Sequence, residues 1–217
     1  MEPDDTRLTE EGLAGPEAAG GPGRVLLIAC GALAREILAL TRANGWEHLD
    51  LTCLPAALHN RPERIPEAVR GRVRAGRAAG YGAIFVVYAD CGTGGLLDRV
   101  CAEEGVERIA GPHCYSFFDG NEMFASRAEA EIGTFYLTDF LARQFDTLVW
   151  RGMGLDRHPD LRDMYFGNYD RVVYLAQTDD PALTERARAG AERLGLAFER
   201  RFTGYGDLAP VLSGVAG

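Results

Sequence analysis

Three cysteines in this sequence stand where predicted strands end. Cys30 and Cys91 each precede a glycine at the point where an apolar segment gives way to a predicted helix, and Cys114 follows a shorter apolar segment. Because the carboxyl ends of parallel strands meet at one edge of a sheet, we expect the three sulfur atoms to share one side of the molecule. Thiolates bind soft metals and iron–sulfur clusters, so the sequence predicts a metal or cluster site there.

Four further residues are predicted to complete this site. His113 adjoins the third cysteine and is assigned as a metal ligand or an acid–base group. Asp90 precedes the second cysteine and is assigned acid–base chemistry or the orientation of a ligand. Gly31 and Gly92 would let a bulky cofactor approach the backbone. The predicted cofactor is a 4Fe-4S cluster or a single transition metal such as zinc or iron, with three thiolates and one open position.

The other thiols and one loop histidine receive weaker assignments. Cys53 lies within a predicted strand and Cys101 on the apolar side of a predicted helix, so both are expected in the core. His59 follows the second predicted strand and could face the same edge, with a solvated loop as the alternative. The turn 91–95 could cradle a phosphate, but the sequence contains no lysine to complete such a loop.

The elements that must position these residues alternate between apolar strands and amphipathic helices. The predicted strands are 25–29, 49–54, 83–88, 106–110, 171–176 and 197–202. Asp180 with Pro181 predicts the start of the last helix of this series, and Gly195 predicts its end. The alternation predicts an α/β fold with a mostly parallel sheet flanked by helices. A helical, aromatic-rich insertion is predicted between the fourth and fifth strands.

The domain organisation follows from where the alternation starts and where it is interrupted. Residues 1–23 carry six acidic residues against one arginine and are rich in glycine, proline and alanine. They are predicted to be a disordered acidic leader. Residues 24–217 are predicted to form a single α/β domain, with the helical insertion at about 115–170.

Composition excludes several classes of function. The net charge is -9, and no basic cluster lies beside aromatic residues, so nucleic acid is not expected as a partner. No apolar run approaches the ~20 residues of a membrane helix, and the amino terminus lacks a secretion signal, so a cytoplasmic location is expected. The absence of lysine excludes Schiff-base chemistry. Five cysteines in a reducing compartment are expected as free thiols.

The cysteine and histidine positions resemble those of the family catalogued as domain of unknown function 1638, from about Val25 to Tyr205. That family's Cys-Gly after the first strand corresponds to Cys30, its turn after a tyrosine-containing strand to Cys91, and its His-Cys neighbourhood to the pair at 113–114. Its members are often encoded near corrinoid-dependent methyltransferases and their reductive activators. The resemblance therefore implies partners of that kind and a role in one-carbon metabolism.

Four hypotheses of function remain open at this point. The leading one is a metal- or iron–sulfur-binding protein in corrinoid-linked methyl transfer. A mononuclear zinc or iron hydrolase could use the same ligands, with Asp90 or Glu122 as the base. A non-catalytic module could bind a small molecule or a protein through the aromatic segment 115–169. A Cys91 nucleophile with His113 ranks last, because the sequence places no orienting partner.

Overall fold

The chain folds into two compact units. The structure is a computed structural model that describes residues 3–15 and 20–217. The first unit comprises residues Met1–Cys114 and Leu208–Gly217, and the second comprises Tyr115–Asp207. Each unit holds its own parallel sheet with helices packed on it. The predicted α/β class, with parallel strands flanked by helices, is confirmed.

The first unit is built on a four-stranded parallel sheet. Its strands are β1 (Val25–Cys30), β2 (Leu49–Leu54), β3 (Ala83–Val87) and β4 (Glu107–Arg108), in the order β2-β1-β3-β4. β1 is buried over almost its whole length, as its continuous apolar sequence requires. The chain winds outward from β1 to β2 and then in the opposite direction to β3, so the carboxyl ends of β1 and β3 form the switch point where open α/β sheets bind ligands.

Four helices of the first unit precede or connect these strands. They are α1 (Asp5–Glu10), α2 (Ala34–Asn44), α3 (Ile65–Ala78) and α4 (Leu96–Glu104). Short 3-10 turns occupy Gly31–Leu33, Ala56–Asn60 and Pro62–Arg64. α2 ends at Gly45, which takes the left-handed conformation that closes many helices. The buried Glu104 of α4 accepts hydrogen bonds from three arginines of α3, which joins these two helices.

The amino-terminal segment differs from the predicted disordered leader. Residues Asp5–Glu10 form α1, in which Leu8 is only 1% exposed, and Asp5 pairs with Arg35 of α2. Leu13 then forms an antiparallel bridge to Cys53 of β2. The prediction was wrong for residues 3–15 because one buried leucine and one ion pair, supplied by the rest of the fold, order a segment that lacks an apolar period of its own. Residues 1, 2 and 16–19 of the predicted leader lie outside the described residues.

The second unit contains a three-stranded parallel sheet. Its strands are β5 (Thr134–Leu137), β6 (Arg171–Ala176) and β7 (Ala197–Phe202), in the order β5-β6-β7. Its helices are α5 (Ser116–Asp119), α6 (Asn121–Arg127), α7 (Asp139–Arg143), α8 (Leu161–Phe166) and α9 (Pro181–Leu194), with a π-helix at Phe145–Arg151. α10 (Leu208–Ala216) belongs to the first unit.

Two features of this second unit differ from the sequence predictions. β5 lies inside the segment 115–170 that was predicted to be helical. β6 and β7 pair with β5 in a separate sheet instead of extending the first one. By contrast, the predicted limits of α9 are confirmed, since Asp180 caps its start and the left-handed Gly195 follows its end. Among the helices of the described residues, none is both long and apolar enough to cross a membrane.

Candidate thiolate site

Two backbone hydrogen bonds join the loops that follow β3 and β4. The amide of Asp90 donates to the carbonyl of Gly111 at 3.0 Å, and the amide of Cys91 donates to the carbonyl of Pro112 at 2.9 Å. These bonds continue the parallel pairing of the two strands beyond their ends. They bring two thiols into contact, because the Sγ atoms of Cys91 and Cys114 are 3.1 Å apart.

Asp90 braces the turn that carries Cys91. Its carboxylate accepts hydrogen bonds from the Thr93 hydroxyl at 2.7 Å and from the amides of Gly94 and Gly95 at 3.1 and 2.8 Å. Burial opposes ionisation of Asp90, but these hydrogen bonds prevail and lower its pKa. The turn needs this support because Cys91, at φ 48°, is the one non-glycine residue in the described parts of the chain with a positive φ.

The same hydrogen bonds place the carboxylate of Asp90 where an anion would bind in the turn 91–95. The amides of Gly94 and Gly95, which could have cradled a phosphate, already point at the Asp90 carboxylate. A phosphate in that place would meet a negative charge. The carboxylate of Asp90 thus holds the turn in place and occupies the position that a phosphate would take. Its assignment to acid–base chemistry or to the orientation of a ligand stays a prediction.

Cys91 and Cys114 differ sharply in acidity. Hydrogen bonds from the Cys114 thiol and from His59 lower the pKa of Cys91 to about 5, although burial opposes this shift. The neighbouring Cys91 sulfur, together with burial, raises the pKa of Cys114 well above its usual range. The two sulfur atoms therefore share one hydrogen bond, and Cys91 is the more acidic thiol of the pair.

Cys30 is the third thiol of this region. It ends β1, the strand that pairs with β3, and it is 5% exposed. Burial raises the pKa of Cys30 to about 11, with a smaller contribution from the charge of Cys91. Cys30 also acts on Cys114 electrostatically. The three cysteines predicted from the strand ends thus lie in one neighbourhood, although no group of three or more His, Cys, Asp or Glu side chains in residues 3–15 and 20–217 is already arranged to hold a metal ion.

Tyr88 places a buried hydroxyl next to these thiols. Its side chain is 1% exposed, and its Oη has no hydrogen-bond partner among the residues that the structure describes. Burial raises the pKa of Tyr88 well above its usual range, and the nearby sulfur atoms of Cys30, Cys114 and Cys91 add to this effect. The Cys30 sulfur lies close enough to raise the pKa of the Tyr88 hydroxyl, but the two groups do not form a hydrogen bond of ordinary geometry. A buried hydroxyl without a partner costs about 1–3 kcal/mol.

Two histidines flank the thiolate pair. His59, on the 3-10 turn Ala56–Asn60, lies near enough to the Cys91 sulfur to lower the pKa of that thiol, which favours the site over the solvated loop. Burial lowers the pKa of His113, and the positive charge of His59 adds to this effect, while the charges of Cys91 and Asp90 oppose it. His113 is therefore neutral at pH 7, which is the form that binds metals. The sequence left two assignments of His59 open, this edge of the sheet or a solvated loop, because only the path of its loop decides between them.

The two glycines assigned to a cofactor have different surroundings. A Cβ atom on Gly31 would lie 2.4 Å from the carbonyl oxygen of Leu8. The backbone of the amino-terminal segment therefore approaches Gly31 closely, and the assignment of Gly31 to a cofactor stays a prediction. Gly92 has a φ of 85° and would place a Cβ 3.6 Å from Pro62, so its role is to let the turn take a left-handed conformation.

The remaining candidates lie on other elements of the chain. Cys53 and Cys101 are buried in the first unit, on β2 and α4. Glu122, the alternative base of a hydrolase, lies on α6 of the second unit.

These features define an α/β protein with two parallel sheets and a pair of adjacent cysteines at the switch point of the first sheet. The chain belongs to the family described as Protein of unknown function (DUF1638), whose profile matches residues 53–212. The family predicted from the cysteine positions is therefore confirmed. No curated protein and no solved structure matches the chain.

Proposed function

We propose that this protein binds a thiophilic metal through Cys91 and Cys114, with Cys30 as the third ligand. The observation that most directly supports this proposal is the distance of 3.1 Å between the Sγ atoms of Cys91 and Cys114 at the switch point of the sheet. Three separate strands contribute these thiols, so the arrangement depends on the whole fold of the first unit. Buried thiols that gather at a ligand-binding edge are suited to soft metal ions.

The donor set fits a metal in its chemistry and nearly fits in its spacing. Two thiolates on one tetrahedral zinc ion, each at about 2.3 Å, lie about 3.8 Å apart. The Cys91 and Cys114 sulfur atoms are closer than this, at 3.1 Å, so binding would separate them slightly. The unpartnered hydroxyl of Tyr88 is a second sign of fit, because a buried polar atom without a partner is otherwise costly.

The short sulfur–sulfur distance favours a single ion over an iron–sulfur cluster. In a 4Fe-4S cluster each thiolate binds a different iron atom, so the ligand sulfur atoms stand much farther apart than in a mononuclear site. His59 is the favoured fourth donor, since it lies near enough to Cys91 to lower the pKa of that thiol. His113 remains the alternative fourth donor, as the sequence predicted. A bound ion would supply Lewis-acid chemistry at this edge of the sheet.

Metal and acid-labile sulfide analysis of protein purified without oxygen tests this proposal. We expect one zinc or iron per chain and no sulfide. Cys91→Ser and Cys114→Ser variants should bind zinc at least about 100-fold more weakly, because each loses a ligand. Cys101→Ser is the matched control, since this buried thiol lies on α4, and it should retain the metal. Detection of iron with an equal amount of sulfide would show that the site holds a cluster and not a single ion. Failure of the reduced, metal-free protein to bind zinc, iron or a reconstituted cluster would overturn the proposal.

Replacing Tyr88 with phenylalanine has opposite expected effects on stability and on metal binding. The metal-free variant should be as stable as the wild type, or more stable by about 1 kcal/mol, because no hydrogen bond is lost. Its zinc affinity should fall by about 10-fold if the hydroxyl supports a ligand or the ion. Urea unfolding and zinc competition titration measure the two effects.

Tyr81→Phe is the matched control for this experiment. Tyr81 is also buried in the first unit, but its hydroxyl donates to Asp50 at 2.8 Å. This control should lose about 1–3 kcal/mol of stability and keep its zinc affinity. If Tyr88→Phe destabilised the metal-free protein as much as Tyr81→Phe does, the hydroxyl of Tyr88 would have a structural partner, and its link to the metal would fail.

The cellular setting is part of the same proposal. All five cysteines are free, which agrees with a reducing, cytoplasmic compartment. Partnership with corrinoid-dependent methyltransferase components, a hydrolytic reaction and the absence of nucleic-acid binding all stay predictions from the sequence. Copurification with those methyltransferase components, with the Cys91→Ser variant as the comparison, tests whether the thiolate site takes part in the partnership.

A further inference from the structure

We infer that Cys91 and Cys114 form a reversible disulfide that excludes metal from the site. The disulfide rests on the geometry of the pair alone, and its effect on metal rests on the proposed function. A disulfide brings two sulfur atoms to about 2.05 Å, whereas two zinc-bound thiolates stand about 3.8 Å apart. The observed 3.1 Å lies between these distances. One pair of side chains can therefore reach either state, but not both at once.

The backbone around the pair favours closure over separation of the two loops. The bonds from Asp90 to Gly111 and from Cys91 to Pro112 hold the loops together on one side of the thiols. The carboxylate of Asp90 fixes the turn from the other side. Forming the S–S bond therefore requires a movement of about 1 Å by two side chains, with little loss of backbone freedom.

The limited exposure of the two thiols favours their reaction with a small oxidant. Cys91 is 4% exposed, and Cys114 is partly exposed, so a peroxide reaches the pair more easily than a bulky disulfide does. The Cys91 sulfur, which lies 3.1 Å from the Cys114 sulfur, is the attacking atom. It bonds to one peroxide oxygen while the O–O bond breaks, and the other oxygen leaves as water after taking up a proton. Cys91 then carries a sulfenic acid.

Cys114 completes the reaction as the resolving thiol. Its sulfur attacks the Cys91 sulfur and the S–O bond breaks. The departing hydroxide leaves as water with the proton of the Cys114 thiol. The two thiols are oxidised by two electrons in total, and hydrogen peroxide is reduced to two molecules of water. A small dithiol such as dithiothreitol reverses the reaction by thiol–disulfide exchange.

Treatment of the reduced, metal-free full chain with a slight excess of hydrogen peroxide tests the disulfide. We expect the intact mass to fall by two hydrogen atoms and the cross-linked peptide to contain Cys91 and Cys114. Cys114→Ser should instead accumulate a sulfenic acid that dimedone labels, and Cys91→Ser should form neither product. Cys101→Ser should behave as the wild type. A disulfide that involves another cysteine, or stepwise addition of oxygen without a disulfide, would overturn the inference.

Zinc binding by the oxidised protein tests the regulatory part. Oxidised wild-type protein should bind zinc at least about 100-fold more weakly than reduced protein, and dithiothreitol should restore the affinity. If the disulfide formed but zinc binding were unchanged, both the exclusion of metal by oxidation and the assignment of Cys91 and Cys114 as the zinc ligands would fail. If reduced protein bound no metal, the proposed function would fail, and the disulfide would be judged by its own mass measurement.

Discussion

Replacing Asp90 with alanine is expected to lower the free energy of unfolding by about 3 kcal/mol and to disable the thiolate pair. The carboxylate accepts three hydrogen bonds within its own turn, and hydrogen bonds to a charged group contribute about 1.5–3 kcal/mol each in favourable cases. Without them, Cys91 loses the support for its left-handed backbone conformation. Urea unfolding measures the stability, and the rate of peroxide-driven disulfide formation measures the position of Cys91.

Asp98→Ala is the control for this substitution. Asp98 pairs with Arg108 at 2.6 Å, but its side chain is largely exposed, so its loss should cost no more than about 1 kcal/mol. It should also leave disulfide formation unchanged. An Asp90→Ala protein with wild-type stability and a wild-type rate of disulfide formation would show that the turn does not need the carboxylate.

Replacing Leu8 with alanine is expected to cost about 2–5 kcal/mol of stability. Leu8 is 1% exposed, and a large-to-small change at a closely packed position loses burial and leaves a cavity. The backbone of the same residue covers Gly31, so the loss would reach the end of β1. Equilibrium urea unfolding of the full chain measures the effect.

Glu10→Ala controls for the loss of helix-forming contacts in α1. Glu10 lies on the same helix but is exposed, so its replacement should change stability by less than about 0.5 kcal/mol. Equal effects of the two substitutions would mean that the amino-terminal helix contributes nothing to the core. That result would favour the prediction that the amino-terminal segment is a disordered leader.

The sequence predicted the sheet of the first unit because its strands carry their own signal. The run Val25–Cys30 is continuously apolar, and a central parallel strand covered on both faces needs such a run. The placement of Cys30 and Cys91 at strand ends followed from the same pattern. α9 was predictable at both ends, because Asp180 and Gly195 act locally through a hydrogen bond and a left-handed conformation.

The two elements that the sequence did not predict, α1 and β5, lack a local sequence signal. α1 has six residues and buries one leucine, and a helix this short is stable only through contacts with the rest of the fold. β5 has four residues within an aromatic-rich segment, where a short apolar run fits a strand or a helix equally well. Its pairing with β6 depends on residues more than thirty positions away.

The chemistry of the site was only partly predictable for a similar reason. The turn 91–95 could be recognised from its glycines. The sequence did not reveal that the carboxylate of Asp90 accepts hydrogen bonds from the amides of this turn. The hydroxyl of a tyrosine at the end of the otherwise apolar run 83–88 was the available signal for Tyr88. The proximity of His59 to Cys91 arises from the path of two loops, which no spacing in the sequence encodes.

The position of β1 has a practical consequence for anyone who shortens this chain. The family profile begins at residue 53, so a fragment trimmed to the matched region would lack β1 and most of β2. β1 is the strand to which both β2 and β3 are hydrogen-bonded, so its removal would divide the first sheet at its middle. Such a fragment would retain Cys91 and Cys114 in its sequence while losing the framework that brings them together, and it would be prone to aggregate through the exposed edge of β3.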